Sequence, residues 1–140
     1  MKTIVAGSRS ILDYNHVKSA CEWCGWTITE VVSGTARGVD TMGEDWAKEN
    51  GIPIKRFPAK WKDIEGKPAN EIKTNQWGKY WSKAGLVRNL EMAKYAQALV
   101  AVWDGQSRGT KYMIDTANNY KLKVYVLEIP SYQLLNEYNS

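Results

Sequence analysis

Residues 97–103 read QALVAVW, and residues 104–110 continue as DGQSRGT. The first run is the most apolar of the chain and predicts a buried strand. The second contains two glycines and ends where helical periodicity begins. A strand, a glycine-containing loop and a helix, in this order, form the repeating unit of α/β proteins with a parallel sheet.

The same unit recurs along the rest of the chain. Asp13 is a suitable N-cap for the first helix, and Gly25 and Gly51 follow the last apolar positions of the first two helices. Strands are predicted at residues 2–6, 27–32, 52–57, 97–103 and 122–128. Helices are predicted at residues 13–24, 39–50, 85–95 and 110–119.

Five strands joined by helical crossovers predict a parallel sheet with helices on both faces, because such connections are right-handed. This is a Rossmann-like three-layer α/β sandwich, and we expect the strand order 3-2-1-4-5 in a single domain at residues 1–140. Residues 58–84 interrupt the alternation, since they are rich in Lys, Trp, Asn and Gly and too long for an ordinary connection. They are predicted to form a long loop insertion.

Aromatic residues are concentrated in this insertion, where they alternate with lysines. They could stack on a base or close over a site as a lid. The favoured alternative is that they pack the insertion against the domain or against a second subunit. The residues concerned are Trp61, Trp77, Tyr80 and Trp81.

Length and composition narrow the functional classes. The chain has 140 residues, of which 44% are hydrophobic, enough for one domain with a substantial core. The net charge of +4 comes from scattered lysines. It favours a local anion site, because nucleic-acid surfaces concentrate their basic residues.

No run approaches the ~20 apolar residues of a membrane span, and the first residues are too short an apolar run for a signal peptide. We expect a cytoplasmic protein with no membrane or nucleic-acid partner.

Cys21 and Cys24 are the two cysteines of the chain, in the sequence Cys-Glu-Trp-Cys. A redox pair would lie at a helix N-terminus, where the thiol pKa is lowered, whereas this pair falls late in a predicted helix. A zinc site needs four ligands, and His16 is the single histidine. The sequence therefore predicts two reduced, partly buried thiols and neither a metal site nor a cofactor.

The loops that follow the first, second and fourth strands combine glycine, hydroxyl and arginine residues. In a parallel sheet these loops emerge at one edge, and the chain reversal between strands one and four opens a crevice there. Glycine allows backbone N–H groups to approach phosphate, the next helix N-terminus adds positive potential, and arginine supplies a planar pair of donors. The predicted binding residues in these loops are Gly7, Ser8, Arg9, Ser33, Gly34, Thr35, Arg37, Gly38, Asp40, Asp104, Gly105, Ser107, Arg108, Gly109 and Thr110.

Three carboxylates near this edge each have two interpretations. Asp40 and Glu44 lie four residues apart at the start of the second helix. They could hold a ribose diol or act as acid and base, or they could only favour the helix dipole. Asp104 could orient a ligand hydroxyl or brace the turn that follows it.

Two motifs resemble a known superfamily. Residues 33–40, SGTARGVD, resemble the SGxARGxD signature of the SLOG superfamily. A second match runs from Ala84-Gly85-Leu86-Val87-Arg88-Asn89 through Met92 to residues 103–110. The chain is most similar to the YspA-like SLOG proteins of bacteria and phages. The superfamily also includes DprA and the Lonely Guy (LOG) phosphoribohydrolases.

This resemblance implies a Rossmann-like fold that binds nucleotides or nucleotide-derived ligands, with Arg88 and Asn89 joining the site from the third helix. LOG enzymes cleave an N-glycosidic bond with the arginine of an RKxxM motif and the glutamate of PGGxGTxxE. Here Asn89 replaces the lysine of the first motif, and Met113 occupies the position of the glutamate. A thioether cannot handle a proton, so hydrolysis by the usual residues is not expected. By resemblance to LOG proteins, we expect a homo-oligomer.

Two functions follow from these observations. The first is sensing or sequestering of a small phosphorylated, nucleotide-like ligand, with Arg9, Arg37, Arg88 and Arg108 as phosphate-binding residues. The alternative is a nucleoside or nucleotide N-glycosidase with Glu44 or Asp40 as the catalytic carboxylate. Single-stranded DNA binding, as in DprA, is disfavoured by the small size and the dispersed charge of the chain.

Overall fold

The computed structural model describes residues 1–130 and 132–134. Its main sheet is parallel and has the strand order β3-β2-β1-β6-β7. The five strands are β1 (Lys2–Gly7), β2 (Glu30–Ser33), β3 (Ile54–Arg56), β6 (Ala98–Trp103) and β7 (Lys123–Glu128). The helices are α1 (Tyr14–Trp23), α2 (Val39–Glu49), α3 (Ala84–Tyr95) and α4 (Arg108–Asn119). The predicted order 3-2-1-4-5 is confirmed.

The sheet is covered on both faces, which explains why its central strands are apolar on both sides. Side chains alternate between faces along each strand. Val5 and Val100 therefore pack with α1 and α2, whereas Ile4 and Leu99 pack with α3 and α4. Strand β6 is buried from Ala98 to Val102, as expected for a central strand of a doubly covered parallel sheet. The two cores establish the predicted three layers.

Helix α2 crosses β1 at a glycine. A Cβ atom placed on Gly43 would lie 2.7 Å from Cγ1 of Val5, closer than real side chains approach. A Cβ on Gly7, at the end of β1, would lie 2.1 Å from the carbonyl oxygen of Val102. Glycine at these two positions therefore allows the close packing that sets the start of α2 beside the ends of β1 and β6.

Helix ends follow the sequence signals. The Asp13 side chain accepts a hydrogen bond from the backbone N–H of Asn15 at 2.9 Å, so the predicted N-cap of α1 is confirmed. Gly51 follows α2 with a φ of +65°, a left-handed conformation that favours glycine. The Ser107 side chain caps α4 by accepting from the N–H of Thr110.

The insertion predicted as a long loop contains a β-hairpin. A short 3₁₀ turn at Ala69–Glu71 leads into β4 (Ile72–Asn75), which pairs antiparallel with β5 (Gly78–Trp81). The two-residue turn is stabilised by Asn75, whose side chain accepts from the N–H of Trp77 at 2.9 Å. The two strands of this hairpin were not predicted from the sequence. Strand β4 is largely exposed and polar, and β5 has its two aromatic residues, Tyr80 and Trp81, next to each other, so neither strand shows a clear alternation of apolar and polar positions.

Both cysteines are buried against the face of the sheet that carries α1 and α2. Cys21 lies within α1 and Cys24 directly follows it, and both are free thiols. Burial raises the pKa of Cys21 to about 12, with a smaller contribution from the neighbouring Cys24. The thiols are therefore more deeply buried than the sequence predicted.

No cluster of three or more His, Cys, Asp or Glu residues suited to a metal ion occurs among the described residues. Within the same residues, no helix has the length and apolar character needed to cross a membrane.

Candidate functional site

A cleft of about 540 Å³ opens at the carboxyl ends of β1 and β6. The loop after β1 contributes Gly7 and Arg9, and the loop after β6 contributes Asp104 and Ser107. Helices α3 and α4 form the remaining walls. The crevice predicted from the chain reversal between strands one and four therefore lies where the sequence placed it.

Ser8 joins the two loops beneath the cleft. Its side chain is buried, and its Oγ accepts a hydrogen bond from the backbone N–H of Asp104 at 3.1 Å. The same oxygen lies 3.4 Å from the hydroxyl of Thr110, at the start of α4. Ser8 thus supports the cleft from below and does not border it.

Asp104 braces the loop that follows β6. One carboxylate oxygen accepts from the N–H groups of Gln106 and Ser107, and the other accepts from the hydroxyl of Ser10 at 2.8 Å. Although partial burial opposes ionisation, these hydrogen bonds hold the pKa of Asp104 below its ordinary value. Asp104 borders the cleft, but its carboxylate already accepts three hydrogen bonds from its own loops.

The first turn of α4 faces the cleft through Ser107, Gly109 and Thr110. The Ser107 hydroxyl oxygen accepts from the N–H of Thr110 at 3.4 Å and from its hydroxyl at 3.1 Å. Nothing lies within 4 Å of the position that a Cβ of Gly109 would occupy. The start of α4 therefore offers an open surface with the positive potential of a helix N-terminus.

Arg88 reaches the cleft from α3. Its Nε donates to the side chain of Asn89 at 3.0 Å, and its Nη1 donates to the carbonyl oxygen of Gly34. Burial lowers the pKa of the Arg88 guanidinium; the carboxylate of Asp40 opposes this shift, and the positive charge of Arg9 adds to it. Two guanidinium groups thus lie near each other at the cleft, Arg9 exposed and Arg88 half-buried.

Asp40 lies in the first turn of α2 and borders the cleft with only 6% of its surface exposed. Its Oδ2 accepts from the backbone N–H of Ala36 at 3.1 Å. Burial raises the pKa of Asp40 to about 6, although this hydrogen bond and the charge of Arg88 both act in the opposite direction. Near neutral pH the carboxyl group therefore exists in both protonation states.

Glu44, one helical turn further along α2, contacts two residues that do not border the cleft. Its carboxylate accepts from the Ser33 hydroxyl at 2.7 Å and from the Arg56 guanidinium at 2.8 Å. Although partial burial opposes ionisation, these two partners hold the pKa of Glu44 below its ordinary value. Asp40 and Glu44 are thus not brought together at the cleft, and the catalytic role of Glu44 stays a prediction.

A second cavity of about 470 Å³ adjoins the first and is bordered by the loop after β2. Gly34, Thr35 and Arg37 line it. Thr35 has a φ of +64°, and its N–H donates to the side chain of Ser33, so the loop turns sharply over the start of α2. This loop therefore faces a neighbouring compartment, whereas the loops after β1 and β6 line the main cleft.

The structure divides the sequence-predicted site residues into three groups. Those bordering the first cavity are Gly7, Arg9, Asp40, Arg88, Asn89, Asp104, Ser107, Gly109 and Thr110. Gly34, Thr35 and Arg37 border the second cavity, together with Arg9 and Arg88. Ser8, Ser33, Gly38, Glu44, Gly105 and Arg108 border neither. Of this last group, Ser8 and Ser33 are buried supports, and Arg108 is exposed at the start of α4.

An apolar wall of the cleft was not assigned to the site from the sequence. It consists of Leu86 and Met92 from α3, Tyr112 and Met113 from α4, and Trp61 from the insertion. Met113, which stands where LOG enzymes carry their glutamate, is 2% exposed and lies at the bottom of this wall. The helical spacing of these residues is indistinguishable from that of core positions, so only the aromatic content of the insertion signalled the wall.

Comparison with known proteins gives a family match and a structural likeness. Residues 1–63 match the family model of the YspA, cpYpsA-related SLOG family. No curated protein matches the chain. Among solved structures, DNA processing protein A (DprA) from Streptococcus pneumoniae is similar, with a TM-score of 0.68 and 18% sequence identity. The likeness covers 97% of this chain and 53% of that one, so this chain spans about half the length of DprA. Residues 1–63 thus confirm the resemblance to the SLOG superfamily, and the likeness to DprA extends the shared fold over nearly the whole chain.

Proposed function

We propose that this protein binds a small nucleotide or nucleotide-derived phosphorylated ligand in the cleft between β1 and β6. The observation that carries the proposal is the pair of guanidinium groups of Arg9 and Arg88 beside the open first turn of α4, in a cleft of about 540 Å³. That volume falls within the range of roughly 300–1,000 Å³ typical of small-molecule sites.

The phosphate lies between Arg88 and the start of α4. The hydrogen bonds of Arg88 to Gly34 and Asn89 fix the orientation of its guanidinium. Such a preoriented donor loses little side-chain entropy when an anion binds. In the first turn of α4 the N–H of Thr110 is capped by Ser107. The N–H groups of Arg108 and Gly109, which precede it, have no acceptor further back in the helix, so they add donors for an anion. An anion also relieves the repulsion between Arg9 and Arg88.

The base lies against the apolar wall. Leu86 offers an exposed aliphatic surface without competing hydrogen bonds, backed by the buried Met92 and Met113. Trp61, which is 41% exposed, supplies an aromatic face. Stacking of a base on such a ring stabilises binding by about 1–3 kcal/mol. Asp40 is the carboxylate best placed for a ribose hydroxyl, because Asp104 already accepts three hydrogen bonds from the loops.

Isothermal titration calorimetry with AMP, GMP, CMP and UMP tests the proposal. Arg88→Gln removes a charge-assisted contact worth roughly 1.5–3 kcal/mol, so we expect the Kd to rise about 10- to 150-fold. The matched control is Lys94→Gln, which removes one positive charge from the last turn of the same helix, outside both cavities. Equal affinities of wild type and Arg88→Gln, or no binding of any nucleotide, would contradict the proposal.

A second function, N-glycosidic hydrolysis, is favoured by one observation. Asp40 is a buried carboxyl group at the cleft whose pKa of about 6 suits a general acid or base near neutral pH. Incubation with nucleoside monophosphates, followed by chromatographic detection of free base, tests this activity. Base release that is lost in Asp40→Asn and retained in Glu44→Gln would assign the reaction to Asp40. If the wild-type protein binds the nucleotide but releases no base, the hydrolysis proposal is wrong and nucleotide binding remains as the proposed function.

A further inference from the structure

Two adjoining cavities share one boundary. The first has a volume of about 540 Å³ and the second of about 470 Å³, and both are bordered by Arg9, Ala36, Trp61 and Arg88. Each volume is in the range of a small-molecule site. A single nucleoside monophosphate in the first cavity would leave the second one filled only with solvent.

The shared boundary is the most basic part of the two cavities. Arg9 and Arg88 both border it, and the positive charge of Arg9 interacts electrostatically with the Arg88 guanidinium. Arg37 adds a third guanidinium on the side of the second cavity. One carboxylate, that of Asp40, lies nearby and borders only the first cavity. Positive potential is therefore centred between the compartments, where it suits the anionic middle of an extended ligand.

Aromatic surface is present in both compartments. Trp61 borders the first and the second, and Trp77, which is 74% exposed, borders the second. Hydrogen bonds within the insertion anchor the backbone at both residues. The N–H of Trp81 donates to the carbonyl oxygen of Trp61 at 2.7 Å, and the Lys62 ammonium donates to that of Trp77 at 3.3 Å. Trp61 also makes an edge contact with Tyr80, at 6.2 Å between ring centroids.

We infer that the ligand consists of two nucleoside units joined through a diphosphate, with the diphosphate at Arg9 and Arg88 and one nucleoside in each cavity. This inference rests on the proposed nucleotide-binding function and names its ligand class. The first nucleoside contacts the apolar wall of α3 and α4. The second contacts Trp77 and Arg37, so the hairpin and the loop after β2 determine selectivity for the longer ligand.

The test compares, by calorimetry, AMP and GMP with the dinucleoside diphosphates of adenosine and guanosine. For the favoured base, we expect the dinucleoside diphosphate to bind with a Kd at least about tenfold lower than the monophosphate, as one extra stacked base provides. Trp77→Ala and Arg37→Gln should each weaken binding of the dinucleoside diphosphate about tenfold. Trp77→Ala should leave binding of the monophosphate unchanged, because Trp77 borders only the second cavity. Trp23→Ala is the matched control, because Trp23 is equally exposed on α1 and borders neither cavity.

The outcomes separate this inference from the function on which it rests. If the monophosphate binds and the dinucleoside diphosphate binds no more tightly, the second nucleoside has no site and the inference is wrong, while the proposed function stands. If the longer ligand binds more tightly but Trp77→Ala and Arg37→Gln leave its Kd unchanged, the second nucleoside lies elsewhere and the inference is again wrong. If neither class binds, both the inference and the proposed function fail.

Discussion

The replacement Asp40→Asn should change how stability depends on pH. The pKa of Asp40 is raised from 3.8 to about 6 in the folded protein, with burial as the largest cause. The unfolded chain therefore ionises this group near pH 4, whereas the folded protein holds the proton until about pH 6. Between these values the unfolded chain binds fewer protons, so the contribution of Asp40 to stability falls as the pH rises.

The magnitude follows from the two pKa values. Each pH unit between them corresponds to about 1.36 kcal/mol, so the ionised carboxylate costs the folded protein about 3 kcal/mol at pH 8 relative to pH 3. An asparagine keeps an oxygen that can accept from the N–H of Ala36, but it carries no charge. The variant should therefore gain stability relative to wild type on going from acid to neutral pH, by up to about 3 kcal/mol.

Urea denaturation at several pH values between 4 and 8 measures this difference in the free energy of unfolding. Taking the difference between variant and wild type removes the titration of all other groups that the two proteins share. Asp45→Asn is the control, because Asp45 is exposed on the same helix. A difference between Asp40→Asn and wild type that stays constant from pH 4 to pH 8, or that changes in the opposite direction, would refute the reasoning.

Three further substitutions test the geometry. Gly43→Ala should destabilise the protein by about 1–3 kcal/mol in urea denaturation, because its Cβ would lie 2.7 Å from Val5 and α2 would have to shift. Asp13→Ala should cost about 1 kcal/mol in the same assay, through loss of the N-cap of α1. Gly34→Ala would place a Cβ 2.7 Å from Nη1 of Arg88, so we expect weaker nucleotide binding by calorimetry with the fold retained in circular dichroism.

Their controls are available in the same chain. Gly109→Ala adds a methyl group where nothing lies within 4 Å, so it should not destabilise the protein as Gly43→Ala does. Asn15→Ala leaves the capping carboxylate of α1 in place and should cost less than Asp13→Ala. Unchanged stability of Gly43→Ala would contradict the close packing of α2 on β1, and unchanged affinity of Gly34→Ala would contradict the positioning of Arg88.

The order of the strands could be predicted because it depends on local signals. Residues 98–102 are apolar on both faces, as only a central strand of a covered sheet needs to be. Glycines then mark the loops after β1, β2 and β6. Once five such units are recognised, the rules of right-handed connection leave few possible orders. The location of the cleft follows from that order.

Which of the predicted site residues border the cleft and which only support its loops could not be predicted in the same way. Ser8 and Ser33 stand in glycine loops, as ligand-binding hydroxyls do, yet one supports Asp104 and the other Glu44. The partner of Glu44 is Arg56, which is twelve residues away and comes next to it only through the pairing of β2 with β3. Contacts of this kind depend on tertiary structure, so a local pattern does not reveal them.

The position of Trp61, in the insertion, also depends on tertiary contacts that the sequence does not reveal. Its sequence neighbours are lysines and an aspartate, which indicate an exposed loop. Its position beside the cleft results from the hydrogen bond of its carbonyl oxygen to Trp81 and from its approach to Gly85 at the start of α3. Both partners are about twenty residues away. The aromatic content of the insertion left both a ligand contact and structural packing open, and it could not indicate which surface the ring would cover.

The β4–β5 hairpin has a consequence for how proteins of this architecture can diversify. Among the residues that the structure describes, its two strands pair only with each other and contribute no strand to the main sheet, and the two cores that hold the fold together lie elsewhere. Changes in its length or sequence therefore alter the Trp77 ring at the second cavity while leaving the sheet and its helices intact. If the second cavity binds part of the ligand as inferred above, an exchange of this hairpin between related chains would transfer ligand preference without a loss of thermal stability, and new specificities could accumulate in it on an unchanged scaffold.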